Sequence, residues 1–244
     1  MMSADRQNLS TSSVPRPRQT GRALFNSVLM AAGFAVCVIA PSASWTSMRP
    51  WLMTAVYLLV HVIGTMRITR FNPELLLERA RMRPQPGQPA ADKVLTWAFT
   101  ASYLAMIIAS SADGSRWHVW PEPATGISWA GLAIFGAGWW LVLRALETNP
   151  FAVRVVRHQP ERGHRVIEAG VYRIVRHPMY AGLVAVLVGA PLWLGSTLGL
   201  LLAAAPIGIL MIRILVEEHV LQQHVQEYEQ YAKRVRSRLI PGVW

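Results

Sequence analysis

The sequence predicts an all-α integral membrane protein with about six transmembrane helices, and three observations support this fold class. Of its 244 residues, 52% are hydrophobic and only 15% are charged, which is unlike an ordinary soluble domain. Several apolar runs approach the length of about 20 residues that a helix needs to cross the hydrocarbon layer. Lys and Arg are abundant in every second interval between these runs. The bilayer is therefore the expected solvent.

Six apolar runs give the expected order of the helices. In chain order they cover residues 24–40, 51–68, 94–112, 127–146, 179–194 and 197–216. Only Gly195 and Ser196 separate the last two runs, and the first of that pair is short. These two runs therefore predict a tight helical hairpin, which does not have to reach the far surface of the bilayer.

The chain divides into three zones. Residues 1–22 contain Ser, Thr, Pro and Arg without apolar periodicity and predict a disordered cytoplasmic tail. Residues 23–146 hold four N-terminal transmembrane helices, with a cytoplasmic loop at 67–93 in which ELLLERA predicts a short amphipathic helix. Residues 147–244 combine a cytoplasmic segment, the hairpin and VEEHVLQQHVQEYEQYAKRV. The apolar residues of that stretch have helical spacing, so we expect one amphipathic helix that continues the last span.

The formal net charge of +11 follows the expected membrane topology. Lys and Arg number four before the first run, six in 67–93, seven in 144–178 and four in 233–238, but one after the first run and one in 113–126. The rich intervals share one side if the chain crosses six times with both termini cytoplasmic, as the positive-inside rule requires. Anionic head groups account for a smaller part of the excess. Nucleic acid is not an expected partner, because no soluble basic fold is present to hold it.

The first apolar run contains Cys37, the single cysteine of the sequence. One cysteine excludes a disulfide framework and a cysteine-rich zinc site, and we expect no metal. The small residues APSAS at 40–44 leave open a cleaved signal peptide. Removing this run would place every later basic interval on the opposite side of the membrane, so we expect the span to be retained.

The stretch RIVRHPMYAG at 173–182 stands at the start of the hairpin. Pro178 suits the first position of a helix, where its missing N–H group and fixed φ cost nothing, and His177 before it should be extended. Arg176 and His177 would then lie beside unpaired backbone N–H groups at a positive helix end, which predicts an anion-binding cradle. The alternative is that Arg173 and Arg176 only follow the positive-inside rule.

A second polar cluster lies at the end of the last span, where Arg213 is followed by Glu217 and Glu218. Ionisable residues at the edge of an apolar bundle are functional candidates. The alternative is an ion pair of Arg213 with Glu217, four residues apart, that closes the helix end. Since Tyr180 begins one arm of the hairpin and Arg213 ends the other, we expect the two clusters to meet.

Three motifs in this order resemble one enzyme family. NPFAVRVVRHQPERGHRV begins at Asn149, GVYRIVRHPMYAG begins at Gly170, and RILVEEHVLQQHVQEYEQYAKRV begins at Arg213. Together they resemble the isoprenylcysteine carboxyl methyltransferase and phospholipid methyltransferase family, prokaryotic type. The earlier NPELLLERA and a later DK are similar to bacterial members. The resemblance implies a membrane-embedded methyltransferase that uses S-adenosylmethionine and makes residues 147–244 its catalytic region, with a cytoplasmic cap over the cofactor.

The resemblance also implies roles for individual residues. The family's cofactor contacts fall on Gln159, His164, Arg165, Val166, Ile167, Tyr172, His177, Pro178, Met179, Tyr180 and Glu217. Arg213 matches the family's substrate-side arginine and is the residue we assign to acceptor binding and catalysis. Gln159 departs from the pattern, because it lies closer to His164 than in the eukaryotic enzymes. The expected acceptor is lipid-like or another small molecule that is accessible from the membrane, and nothing in the sequence specifies a prenyl group.

Other functions remain open on the sequence alone. A related C-terminal pattern occurs in membrane sterol reductases, which would make the protein NADPH-dependent, and a scaffold or transporter would bind neither cofactor. The string GAGWWL at 136–141 imitates part of a dinucleotide fingerprint, but small-residue helix packing explains it better in an apolar span. We expect His61 to be neutral and bonded to a neighbouring helix. The expected location is a bacterial inner membrane.

Overall fold

The computed structural model describes residues 17–42, 45–81 and 83–244, and all regular secondary structure in that part of the chain is helical. Of the predicted disordered tail, residues 1–16 lie outside the described residues. Residues 17–22 are helical, which corrects that part of the prediction. The helix begins at Pro17, where a missing N–H group costs no hydrogen bond.

Nine α-helices occupy the described residues. They are α1 Pro17–Ile39, α2 Met48–Phe71, α3 Pro73–Arg79, α4 Ala90–Ala112, α5 Thr125–Thr148, α6 Pro178–Leu194, α7 Thr197–Leu202, α8 Ala204–His224 and α9 Tyr228–Arg234. A π-helical turn follows α4 at Asp113–Trp117, and 3-10 turns lie at Pro160–Arg162 and Gly170–Arg173. Each of the first five apolar runs coincides with one helix, and the sixth, 197–216, is divided between α7 and α8.

Length and composition confirm an all-α integral membrane protein. Within the described residues, five helical stretches are long and apolar enough to cross a membrane: Gly21–Ile39, Met48–Phe71, Ala90–Trp117, Thr125–Thr148 and Thr197–His224. The sixth apolar helix, α6, has 17 residues. At a rise of about 1.5 Å per residue it measures about 26 Å, somewhat less than a hydrocarbon layer of about 30 Å. The short first arm of the hairpin predicted from the sequence is therefore present.

The hairpin turn is built by two residues between α6 and α7. Gly195 has a φ of 79°, in the left-handed region that glycine adopts without a steric penalty. The hydroxyl of Ser196 donates to Asp113 Oδ2 at 2.6 Å and accepts from the Gly199 N–H group at 2.8 Å. The turn thus reverses the chain and also ties the hairpin to the end of α4.

Close packing of α5 on α6 explains the glycine-rich string in α5. A Cβ atom on Gly138 would lie 2.6 Å from the carbonyl oxygen of Gly182, and one on Gly189 would lie 2.6 Å from that of Gly131. The two helix backbones therefore approach each other without side chains between them, as small residues allow in membrane helices. GAGWWL serves helix packing, as expected.

We expect Gly138→Ala to destabilise the folded protein by about 1–3 kcal/mol, because overpacking a tight contact forces the backbones apart. Gly136→Ala in the same helix is the matched control, since its new Cβ would lie 4.0 Å from Val56 Cγ1. Thermal unfolding in detergent measures the difference. Equal midpoints for the two variants would contradict the packing described for Gly138.

The basic intervals meet at one end of the bundle, which we call the basic end: α1, α4 and α6 begin there, and α2, α5 and α8 end there. Short α3 packs at this end through Leu75 and Leu76, which are buried against Val142 and Leu146 of α5. Full burial of a leucine side chain stabilises a fold by about 1.5–3 kcal/mol. The predicted amphipathic helix is therefore present, and it is part of the core.

The C-terminal stretch differs from the single helix that its apolar spacing predicts. Helix α8 ends at His224, Val225 is extended with φ −123° and ψ 100°, and α9 begins at Tyr228. The break turns α9 back, so that Val225, Tyr228 and Tyr231 form one buried cluster with Val166 packed against it. The apolar residues of this stretch do have helical spacing, but their burial against Val166 requires two helices instead of one.

Candidate active site

A cavity at the basic end lies between residues 149–167, the first turn of α6, the last turns of α8, and α9. It contains about 830 Å³ of space free of atoms, its open mouth included. Nine of the residues assigned to the cofactor line it: His164, Arg165, Val166, Ile167, Tyr172, His177, Met179, Tyr180 and Glu217. Gln159 and Pro178 do not.

The two arms of the hairpin meet in this cavity, as the sequence predicts. Pro178 occupies the first turn of α6, so the next residues of that turn enter the cavity wall. Tyr180 donates its hydroxyl to Glu217 Oε2 on α8 at 2.7 Å, and the His177 ring lies 5.7 Å from the Tyr180 ring. The start of α6 and the end of α8 are thus joined directly.

The anion cradle predicted at the start of α6 stays a prediction in its backbone part, which concerned the N–H groups of the first helical turn. The N–H groups of Arg176 and His177 themselves donate to the carbonyl oxygens of Ser237 and Arg238 at 3.0 and 2.9 Å. The Arg176 guanidinium also donates to the carbonyl oxygens of residues 235 and 236. The segment 235–238 therefore folds back over the start of α6 and occupies the N–H groups of Arg176 and His177.

The buried carboxylate of Glu218 balances the positive charge at the start of α6. Glu218 Oε1 accepts from Arg176 Nε at 2.8 Å and lies 3.1 Å from His177 Nε2, while Oε2 accepts from Arg238 Nε at 2.9 Å. Only 5% of Glu218 is exposed. Arg238 lies in the basic interval 233–238, but no pattern in the sequence indicates that it is a partner of Glu218. Glu218 and its three partners hold α6, α8 and the C-terminal segment together.

Arg213 lies one helical turn before Glu217 and outside the cavity lining. Its Nε donates to Asp92 Oδ1 at 2.9 Å, and its Nη2 donates to the carbonyl oxygen of Arg154 at 2.9 Å. The guanidinium carbon is 6.0 Å from the centre of the Tyr180 ring. The ion pair of Arg213 is therefore with Asp92 and not with Glu217, which corrects the structural alternative considered for this pair.

The sequence motifs did not indicate Asp92 as a functional residue, although Asp92 is the first residue of the DK dipeptide that resembles bacterial members of the family. It is fully buried at the start of α4, and Oδ2 accepts from the Val156 N–H group at 2.9 Å and from Gln88 Nε2 at 2.8 Å. Because Val156 lines the cavity, Asp92 fixes one cavity wall and Arg213 together. The signal available in the sequence was a carboxylate at the start of an apolar run.

Gln159 is almost completely buried, and its side chain serves the loop. Nε2 donates to the carbonyl oxygen of Phe151 at 2.9 Å, and Oε1 accepts from Arg162 Nη1 at 2.6 Å. The Gln159 N–H group donates to Nδ1 of His164 at 3.4 Å. The structure therefore places Gln159 behind the lining residues, where it shapes the loop that carries His164.

His164 lines the cavity as a neutral ring. Burial, together with the neighbouring His158 ring and the positive charge of Arg162 and Arg157, lowers the pKa of His164 to about 4. Because Nδ1 accepts a backbone hydrogen bond, the proton of the neutral ring belongs on Nε2. His164 can thus donate one hydrogen bond to a ligand near neutral pH without adding charge.

Known proteins match part of the chain. Residues 127–228 match the family model described as phospholipid methyltransferase. A probable protein-S-isoprenylcysteine O-methyltransferase of Oryza sativa subsp. indica is 37% identical over 87 residues, which cover 35% of this chain and 46% of the relative. Protein-S-isoprenylcysteine O-methyltransferase B of Arabidopsis thaliana is 33% identical over 85 residues, which cover 34% of this chain and 43% of the relative. The match thus spans less than half the length of these relatives.

Proposed function

We propose that this chain, whose residues 127–228 belong to the phospholipid methyltransferase family, is a membrane-embedded methyltransferase that uses S-adenosylmethionine. This family assignment confirms the resemblance recognised in the sequence, while the prokaryotic type stays a prediction. One observation carries the proposal. Nine of the residues that the resemblance assigns to the cofactor come from four separate chain segments, and all nine line the same cavity. A second support is that this cavity lies at the end of apolar helices, within reach of a membrane-bound acceptor.

The chemistry of the lining residues fits this cofactor. Glu217 offers a carboxylate to its ammonium group or ribose hydroxyls, and Arg165 offers a guanidinium to its carboxylate. His164 presents a neutral N–H donor. Phe151 and Tyr172 supply aromatic surface against which an adenine ring can pack. The amino-acid part, the ribose and the adenine of the cofactor therefore all find matching groups.

Methyl transfer from a sulfonium requires alignment and exclusion of water more than acid–base catalysis. When bound, S-adenosylmethionine supplies the electrophilic methyl group. Tyr180 orients Glu217 through their 2.7 Å hydrogen bond. Glu218, Arg176 and His177 fix the start of α6, and with it the position of Tyr180. The protein thus contributes a preorganised wall on the side of the cavity that faces the apolar helices.

We propose that the acceptor is a lipid-like or other membrane-accessible small molecule and that Arg213 orients its polar part. Arg213 lies one turn further from the basic end than Glu217, which is the side from which an amphiphile would approach. Its Nη1 makes no hydrogen bond within the described residues, whereas Nε and Nη2 are engaged. Nη1 is therefore the nitrogen available to an acceptor.

Calorimetric titration of the purified protein tests the proposed cofactor. We expect saturable binding of S-adenosylmethionine and competition by S-adenosylhomocysteine, because both carry the groups that the cavity matches. NADPH is the comparison, since the sequence also resembles sterol reductases. Binding of NADPH without binding of S-adenosylmethionine would overturn the proposal.

We further propose that the basic end faces the cytoplasm of a bacterial inner membrane, which is what the positive-inside rule predicts. With Cys37 replaced by Ser, a cysteine at the exposed position Glu161 should react with an impermeant maleimide only after the cells are opened. A cysteine at Val119, exposed at the opposite end, is the matched control and should react in intact cells. Labelling of position 161 in intact cells would contradict this orientation.

A further inference from the structure

A second cavity lies near the basic end between α1, α2 and α5, and none of the proposed roles uses it. It contains about 900 Å³ of space free of atoms, its mouth included. Its walls come from three membrane-spanning helices, and α3 contributes the wall nearest the basic end. An occupant of this space must therefore be compatible with an apolar environment along most of its length.

Two guanidinium groups, those of Arg79 and Arg154, line this cavity. Nη1 of Arg79 donates to the carbonyl oxygen of Ala152 at 2.7 Å and lies 3.8 Å from the sulfur of Met179, and both of these acceptors are neutral. Burial and the positive charge of Arg154 lower the pKa of Arg79 to about 9, and burial also lowers that of Arg154. A positive charge such as that of Arg79 is costly in a confined apolar space, and an anion beside it would offset this cost.

Neutral polar groups line the same cavity as the arginines. Ser27 on α1 shares hydrogen bonds with His61 Nε2 at 2.7 Å and Thr65 Oγ1 at 3.1 Å on α2, and all three residues line the cavity. His61 is thus bonded to a neighbouring helix, as the sequence predicts. The lining also includes apolar side chains, among them Val142 and Leu143 of α5. The cavity therefore combines charged, neutral polar and apolar walls.

We infer that this second cavity binds the anionic head group, a phosphate or a carboxylate, of a membrane amphiphile. The arginine pair neutralises the anion, and Arg is suited to both groups because its planar fork can bind them with two hydrogen bonds. Ser27 and Thr65 take the neighbouring hydroxyl or ester oxygens. The acyl chain lies along α5, where the lining is apolar.

The second cavity adjoins the proposed cofactor cavity. Arg79 contacts both Ala152 and Met179, and these two residues line the cofactor cavity on its other side. A single layer of side chains therefore separates the two spaces. The inference goes beyond the proposed function and does not depend on methyl transfer, since it concerns only what the second cavity binds.

Binding measurements on the full chain in a neutral maltoside detergent test the inference. The probes are dioctanoyl phosphatidylglycerol, decanoate, inorganic phosphate and the uncharged monodecanoylglycerol. We expect phosphatidylglycerol or decanoate to bind on the order of tenfold more tightly than the uncharged lipid. The better of these two identifies the source of the anion. Equal binding of the uncharged lipid, or binding of inorganic phosphate as tight as that of either amphiphile, would overturn the inference.

Variants locate the site. Arg79→Gln should weaken binding of the anionic amphiphile on the order of tenfold, whereas Arg79→Lys should retain part of it. Arg70→Gln, at the exposed end of α2 and outside the cavity lining, is the matched control and should bind like the unaltered chain. An equal affinity in Arg79→Gln and Arg70→Gln would contradict the assignment.

If Arg79→Gln does not fold, a variant that fills the second cavity tests the site instead. Gly64 lines the cavity, and a Cβ there would meet only Leu143 Cδ1, at the ordinary contact distance of 3.4 Å. Gly64→Leu should therefore fill the space and abolish binding without removing a charge. Retained affinity in this folded variant would overturn the site. Titration with S-adenosylmethionine is a separate readout, so cofactor binding without lipid binding counts against this inference alone.

Discussion

Replacing Glu217 by Gln is expected to weaken S-adenosylmethionine binding by about 10- to 150-fold, because loss of a charged hydrogen-bond partner costs about 1.5–3 kcal/mol. The fold should be retained, since the amide oxygen of Gln can still accept the hydrogen bond from Tyr180 that the carboxylate accepts at 2.7 Å. Calorimetry on the detergent-solubilised variant measures the affinity. A parallel thermal scan shows whether the variant is folded.

Two other acidic residues serve as controls for Glu217. Glu229→Gln removes a charge that is fully exposed on α9 and should leave cofactor affinity at the wild-type value. Glu218→Gln removes the buried carboxylate shared by Arg176, His177 and Arg238, so its main effect should be a lower thermal midpoint. Wild-type affinity in Glu217→Gln would show that Glu217 does not bind the cofactor.

Replacing Asp92 by Asn is expected to lower the free energy of unfolding by about 3–5 kcal/mol, because it leaves the Arg213 guanidinium buried without its counter-charge. Asp92 is fully buried, and only 7% of Arg213 is exposed, so water cannot replace the lost partner. The double variant Asp92→Asn, Arg213→Met should be less destabilised than the sum of the two single variants. Additive losses would mean that the two residues are not coupled.

Arg213→Lys separates an acceptor role from a structural one. Lysine keeps the positive charge beside Asp92 but does not reproduce the planar fork of Arg213. If Arg213 orients the acceptor, methyl transfer from labelled S-adenosylmethionine into a membrane lipid extract should fall while cofactor affinity stays near wild type. A lower thermal midpoint with unchanged turnover per folded molecule would assign Arg213 to structure alone.

Sequence reasoning predicted the helices because their determinants are local. Apolar runs of membrane-spanning length, and the two residues between the last runs, are visible without any tertiary contact. The convergence of Tyr180 with Glu217 also followed from the sequence, since a two-residue turn at 195–196 leaves the two arms of the hairpin side by side. The break at Val225 did not follow, because helical spacing is the same for one helix and for two.

Apolar runs, charge placement and the C-terminal motifs were enough to predict the fold class, the order of the helices, the end of the bundle that carries the basic residues, and the family resemblance. The pairing of Arg213 with Asp92, which is 121 residues away, became visible only in the folded chain, as did the occupation of the Arg176 and His177 N–H groups by the carbonyl oxygens of Ser237 and Arg238. Hydropathy and charge patterns record the environment of each segment. They do not record which distant group meets a buried charge, because close packing of the helices chooses that partner.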